Sequence, residues 1–325
     1  MRGAIIGTRI RRKDMTVLYI SLAVVLLLLA VMLITSYVCF RMIFLRKYER
    51  DRGPHYVPVP PGEEYVPYRE GIKKKILEAR ELPHEDFEIT SFDGLVLRGR
   101  YYEAHPGAPI ELMMHGYRGT SERDLSAGIF RAHNLGRNAL LVDHRASGTS
   151  EGKIITFGVN EKRDCLTWID FMVKRFGSEQ KIILTGISMG AATVMLASAE
   201  DLPAGVIGVL ADCGYTSAEK IIAKVIRDMK LPVPLLMPFV RIGARLFGGF
   251  DLSAADATAA LRRAKVPVIF YHGESDGFVP CDMSRENYDA CITRKELVTI
   301  PGADHGLCYM KDPERYEKTL GEFFE

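Results

Sequence analysis

The sequence predicts an α/β fold, a mostly parallel sheet flanked by helices and carried behind one membrane-spanning helix. Three observations lead there. Short apolar stretches of strand length alternate with helical segments from about residue 87 to the C-terminal end. A run of 26 residues, 15–40, carries no charge. Between a strand pattern and a helix pattern lies Gly186-Ile-Ser188-Met-Gly190. The 325 residues are 47% hydrophobic and 26% charged, a globular balance that excludes disordered, collagen-like and disulfide-scaffold classes. Net charge is +2, but residues 1–52 hold ten Lys/Arg against three Asp/Glu, and the remainder is mildly acidic. An acidic body argues against nucleic acid as a partner.

The chain divides into a basic segment (1–14), a transmembrane anchor (15–40), a basic then Pro-rich linker (41–70) and a catalytic domain (71–325). About 20 apolar residues cross a hydrocarbon core, and 15–40 exceeds that. The alternative is a cleaved signal peptide, whose apolar core is about 7–15 residues and ends in a small-x-small site. This run is longer and no Ala-x-Ala follows it. Each flank within 1–52 carries five Lys/Arg, so the positive-inside rule assigns no side. Of six cysteines, five lie in the body, without a Cys-x-x-Cys pair. That pattern gives neither a disulfide framework nor a zinc signature and leans toward a reducing compartment.

The elements follow in order. Pro54, Pro58, Pro60, Pro61 and Pro67 keep 53–67 extended, a spacer expected to hold the body off the bilayer. Residues 72–82 form a short amphipathic helix. Segments 87–90 and 95–102 read as a hairpin about Asp93-Gly94. Strands are expected at 110–114, 139–142, 181–184, 205–210, 266–271 and 297–300. Helices are expected at 122–134, 161–175, 189–199 and 313–324. About fifty residues separate the strand near Asp212 from the one at Val266, far more than a crossover needs. The excess, about 214–262, includes a Pro-rich apolar stretch at 231–240. It reads as a lid over a site, or as a surface helix pair. Lys230 and Arg241 bound too few residues for a second span.

Gly-x-Ser-x-Gly places a serine on a tight strand-to-helix turn. The chain has two such motifs, Gly148-Thr-Ser150-Glu-Gly152 and Gly186-Ile-Ser188-Met-Gly190. Only the second has a strand entering (181–185) and a helix leaving (191–197). Ser188 is therefore the candidate nucleophile and Ser150 a loop serine. A serine needs a base, and the base an orienting acid. Two histidines follow Ser188, His272 and His305. With Asp276 of Gly273-Glu-Ser-Asp-Gly277 as acid, only His305 comes later in the chain. Glu274, Asp282 and Asp304 are the alternative acids, and His272 supports the acid loop. Oxyanion donors are expected from the Met189 amide, at a helix start, and the Tyr117 amide, with His115 and Gly116 shaping its turn.

Together, His-Gly-Tyr at 115–117, the motif at 186–190, His-Gly-x-x-Asp at 272–276 and Asp-His-Gly at 304–306 resemble the α/β-hydrolase family in order and spacing. Asp143-His-Arg145-Ala-Ser-Gly148-Thr-Ser150 looks like a loop of that family that is usually structural. The resemblance covers about 87–324. It looks strongest to bacterial hydrolases of the serine aminopeptidase or acyl-peptidase-like kind, including membrane-anchored members. That implies a serine esterase or peptidase working through an acyl-enzyme, with Ser188, His305 and Asp276 as its triad. No cofactor is called for, and no metal motif is present. The expected substrate is a small acyl ester, lipid-like given the anchor and apolar insertion, or a short peptide. A tethered, non-catalytic binding module on the same scaffold is the rival from another class.

Overall fold

The computed structural model describes residues 12–46, 53 and 55–325. The basic segment before residue 12, residues 47–52 and Pro54 lie outside the described residues. The strands are β1 (Glu85–Thr90), β2 (Val96–Tyr102), β3 (Ile110–Met114), β4 (Asn138–Val142), β5 (Ile182–Ile187), β6 (Val206–Asp212), β7 (Val268–Gly273) and β8 (Lys295–Ile300). The helices are α1 (Arg12–Ile43), α2 (Arg69–Glu81), α3 (Ser121–Asn134), α4 (Val159–Phe176), α5 (Met189–Ala197), α6 (Ala218–Asp228) and α7 (Val233–Gly248). After them come α8 (Ala257–Leu261), α9 (Cys281–Ala290), α10 (Cys308–Lys311) and α11 (Pro313–Phe324).

One eight-stranded sheet runs β1-β2-β4-β3-β5-β6-β7-β8. β1 and β2 pair antiparallel, as Asp93-Gly94 requires, and β2 joins β4 antiparallel. Every later pairing is parallel. Parallel strands buried on both faces must be apolar throughout, and β3, β4 and β7 are buried at every position. One face packs on α4 and α5 through residues such as Trp168, Met172 and Val194. The other packs on α3, through Leu125 and Ile129, and on α11, through Tyr316 and Leu320. Glu111 on β3 is a charged exception, held by Arg131 and Arg137.

Helix α1 holds an apolar stretch, Met15–Ile43, long enough to cross a membrane, and from residue 17 to 31 its side chains are exposed. Its far end is part of the body. Phe40 and Phe44 belong to the main core, and the Phe44 ring packs edge-on against Phe157 and Phe250. Past the helix, Leu45 bridges to Ile154, and Arg46 donates to the carbonyls of Gly148 and Ser150.

The spacer expected at 53–67 is corrected in its described part. Expected to hold the body off the bilayer, it instead lies on the body, which already meets α1 at Phe40 and Phe44, and the Tyr65 hydroxyl donates to the His305 carbonyl at 2.9 Å. Proline keeps the segment extended, but extended chain can line a surface as well as leave it. The expected lid is corrected as well. Residues 214–262 hold α6, α7 and α8, and none of them lines the cavity over Ser188. The apolar face of α7 packs on α1 instead: a Cβ on Gly243 would sit 2.6 Å from the Ser36 carbonyl.

Candidate active site

Strand β5 ends at Ile187 and α5 begins at Met189, so Ser188 is the whole turn between them. Its backbone has φ +57°, a conformation that a side-chain-bearing residue adopts at a cost of about 1–3 kcal/mol. The flanking glycines are forced by contact. A Cβ on Gly186 would lie 2.2 Å from the Gly190 backbone, and one on Gly190 2.0 Å from the Met114 carbonyl. The Ser188 amide donates to the Asp212 carbonyl of the next strand, which locks the turn to the sheet.

The structure brings Ser188, His305 and Asp276 together from three loops at the carboxyl edge of the sheet. The Ser188 hydroxyl lies 3.0 Å from His305 Nε2, and His305 Nδ1 lies 2.7 Å from Asp276 Oδ2. The other oxygen, Asp276 Oδ1, accepts the amides of Phe278 and Val279 at 2.9 and 2.7 Å. Burial alone would raise the Asp276 pKa. Hydrogen bonds from His272 and His305 outweigh it and hold the carboxyl down at about 2. His272 is fully buried; its Nε2 faces Asp276 Oδ2 at 3.2 Å and its Nδ1 accepts from Ser284 at 2.6 Å. It supports the acid loop, as its sequence position suggested.

The alternative acids sit elsewhere. Glu274 is exposed and accepts from Thr299, and Asp282 is exposed beside Arg285. Asp304 accepts the backbone amides of Gly277 and His305. Ser150 is structural: its hydroxyl donates to the Asp143 carbonyl at 2.7 Å and accepts the Arg98 amide at 2.8 Å. In the same loop Asp143 accepts from Ser121 and Thr149, and Arg145 bridges Asp164 and Asp93.

The amide of Met189, at the first position of α5, and that of Tyr117 donate to no protein group among the described residues. His115 is fully buried, and burial lowers its pKa, so it is neutral. Its Nδ1 donates to the Gly116 carbonyl and its Nε2 accepts the His144 amide, which fixes the turn that carries Tyr117. Gly116 is held from behind by Asp124.

A cavity of about 400 Å³ opens beside Ser188, His305 and Tyr117. Pro60, Tyr65, Ile72, Ile76, Leu125 and Met310 give it a largely apolar wall. Sequence reading did not find Tyr65 or Ile76, because neither belongs to a motif. The one available signal was the apolar spacing of the helix at 72–82. Phe278, also unforeseen, sets its ring edge-on to His305 at 5.1 Å. Cys213 has its sulfur near Asp276 and His305, but burial pushes its thiol pKa well up, so it stands there as a neutral thiol.

Solved structures share this arrangement of sheet and helices. An esterase of Pyrococcus furiosus, Pf2001, superposes with a TM-score of 0.62 at 24% identity, covering 82% of this chain and 95% of its own. The alpha/beta hydrolase GrgF of a Penicillium species superposes with a TM-score of 0.59 at 18% identity, covering 75% and 98%. The chain has the α/β-hydrolase fold. Within that fold Ser188 occupies the elbow between β5 and α5. By sequence, the uncharacterized protein YqkD of Bacillus subtilis is 26% identical over 240 residues, 74% of this chain and 78% of YqkD. The Penicillium polyketide transferase grgF is 28% identical over 270 residues, 75% of this chain and 90% of grgF. No family model matches the chain.

Proposed function

We propose that this chain is a membrane-anchored serine hydrolase that cleaves esters with apolar acyl groups. The observation that carries the proposal is the Ser188–His305–Asp276 relay, set on a strained elbow beside an apolar cavity. Ser188 Oγ attacks the acyl carbonyl while His305 Nε2 takes its proton, with Asp276 orienting the imidazole. The Met189 and Tyr117 amides stabilise the oxyanion. The leaving alcohol takes the proton back from His305. Water, deprotonated by the same nitrogen, then releases the acid and restores Ser188.

The likeness in fold to an esterase supports ester chemistry. The likeness to a polyketide transferase supports a second reading, in which an acceptor other than water resolves the same acyl-enzyme. A peptidase of the serine aminopeptidase or acyl-peptidase kind would use the same residues on an amide. Retention of the anchor is supported by the core. Cleavage of α1 as a signal sequence would remove Phe40 and Phe44, both buried among the body's aromatic rings.

Fluorophosphonate labelling of the wild type and of Ser188→Ala tests the proposal. Labelling is expected in the first and absent in the second, and persistence in Ser188→Ala refutes it. Esters of increasing acyl length, matched with aminoacyl amides, separate the readings. Rates that rise with chain length support the apolar-ester reading; faster turnover of the amides would favour the peptidase.

A further inference from the structure

Helices α1 and α7 lie side by side and run in the same direction. Gly243 of α7 meets Ser36, Phe247 meets Tyr37 and Phe40, and Phe250 beyond the helix meets Phe44. Numbers therefore rise together along the two helices. The half of α7 before Gly243 points back along α1, toward its lipid-exposed half. The apolar stretch of α1, 29 residues, is roughly 43 Å long at 1.5 Å per residue. A hydrocarbon core is about 30 Å thick. Ser36–Phe44 thus falls at the exit boundary, and Leu235, eight residues before Gly243, lies about 12 Å back along the α7 axis on the bilayer side, where α7 has left α1, whose residues 26–31 stay exposed.

The side chains at this corner suit that place. Met229, Leu231 and Leu235 are 55%, 43% and 61% exposed. Arg227 and Lys230 beside them are exposed and carry no ion pair among the described residues, whereas Arg241 and Arg245 further along α7 pair with Glu219 and Asp251. The backbone suits it as well. The amides of Met229, Lys230, Leu231, Leu235 and Leu236 all donate within the chain, and Pro232 and Pro234 have no amide hydrogen. Val233 is the exception over 229–236. A segment whose donors are satisfied internally can enter a low-dielectric boundary without the cost of stripping water from free N–H groups.

We infer that the α6–α7 corner, residues 229–235, is a second membrane contact, seated in the headgroup-to-acyl boundary beside α1. It rests on the reading of α1 as a retained anchor. Apolar side chains enter the boundary by several ångströms, and Arg227 and Lys230 meet anionic headgroups. Because the end of α1 is fixed in the core, a second contact sets the tilt of the whole anchor–body unit against the membrane plane, which one spanning helix leaves free. The insertion thus orients the domain on the membrane rather than covering the cavity.

The test uses the full chain in phosphatidylcholine–phosphatidylglycerol vesicles, with and without acyl chains brominated at mid-length. Native Trp168 is buried in the body and gives the unquenched baseline. Leu26→Trp reports on the anchor, Leu235→Trp on the corner, and Ile292→Trp on an exposed site elsewhere on the body. The expected result is blue-shifted emission quenched by brominated lipid for Leu26→Trp and Leu235→Trp, but not for Ile292→Trp. Quenching of Leu26→Trp alone overturns the corner contact and leaves the anchor standing. Blue-shifted but unquenched emission from Leu235→Trp also overturns it, assigning the face to a second copy of the chain. Loss of quenching at Leu26→Trp overturns the anchor, and the corner contact with it.

Discussion

Asp276→Asn keeps the size of the side chain and removes only its charge. The asparagine oxygen can still accept the Phe278 and Val279 amides, as Oδ1 does now. Its NH₂ group then faces His305 Nδ1, where a carboxylate oxygen now sits at 2.7 Å. Two donors cannot share that contact, so the imidazole moves its proton to Nε2, the nitrogen facing Ser188. His305 can no longer act as base, and kcat should fall about 10⁴-fold, the usual scale for a wrong tautomer in such a relay. KM should change little, since the apolar wall of the cavity is untouched. Stability should change in parallel. The Asp276 carboxyl is held at about 2 against an ordinary 3.8, so the folded state favours its charged form. That preference contributes about 2 kcal/mol. The contribution is complete above about pH 4 and is lost as pH falls through about 2. Wild type should therefore exceed Asp276→Asn by about 2 kcal/mol at pH 7, with the gap closing below pH 4. Ester turnover and urea unfolding across that pH range measure both. A kcat within about tenfold of wild type would refute the assignment of Asp276 as the orienting acid.

Two further outcomes are expected. Phe44→Ala should lower the stability of the full chain in detergent by about 3–5 kcal/mol, because it empties a fully buried aromatic site. A loss under about 1 kcal/mol in urea unfolding would mean that the end of α1 is not part of the core. Ser150→Ala should leave fluorophosphonate labelling intact but cost about 1–3 kcal/mol, since the Arg98 amide loses its acceptor. Loss of labelling in a folded Ser150→Ala would point to the wrong elbow.

Much of the fold and the candidate site was legible in the residues themselves. Strand length and apolar runs mark the parallel sheet because a strand buried on both faces has no room for a polar period. The elbow was legible because steric contact, not preference, demands glycine at 186 and 190. The chain order of Ser188, Asp276 and His305 was legible because each follows the carboxyl end of a parallel strand, and parallel strands bring those ends to one edge.

Other features depend on contacts between distant segments, which no local pattern encodes. Glu111 is the one charge in an otherwise apolar strand, and ion pairs with Arg131 and Arg137 and a hydrogen bond from Thr185, none of them on its own strand, make its burial tolerable. Proline at 54–67 dictates extension but not direction, so a segment expected to hold the body off the bilayer instead lines its cavity with Pro60, Pro61 and Tyr65. The apolar face of 231–240 announces that it must be covered, yet does not say by what. The sequence by itself determined the sheet, the elbow, the relay and a helix fit to cross a membrane. Tertiary structure alone decided that the end of this helix is core, that α7 packs on it, and that 60–76 rather than 214–262 wall the cavity. The physical reason is that hydrophobic burial is non-directional: it requires a partner for each apolar face, and only the folded chain selects which one.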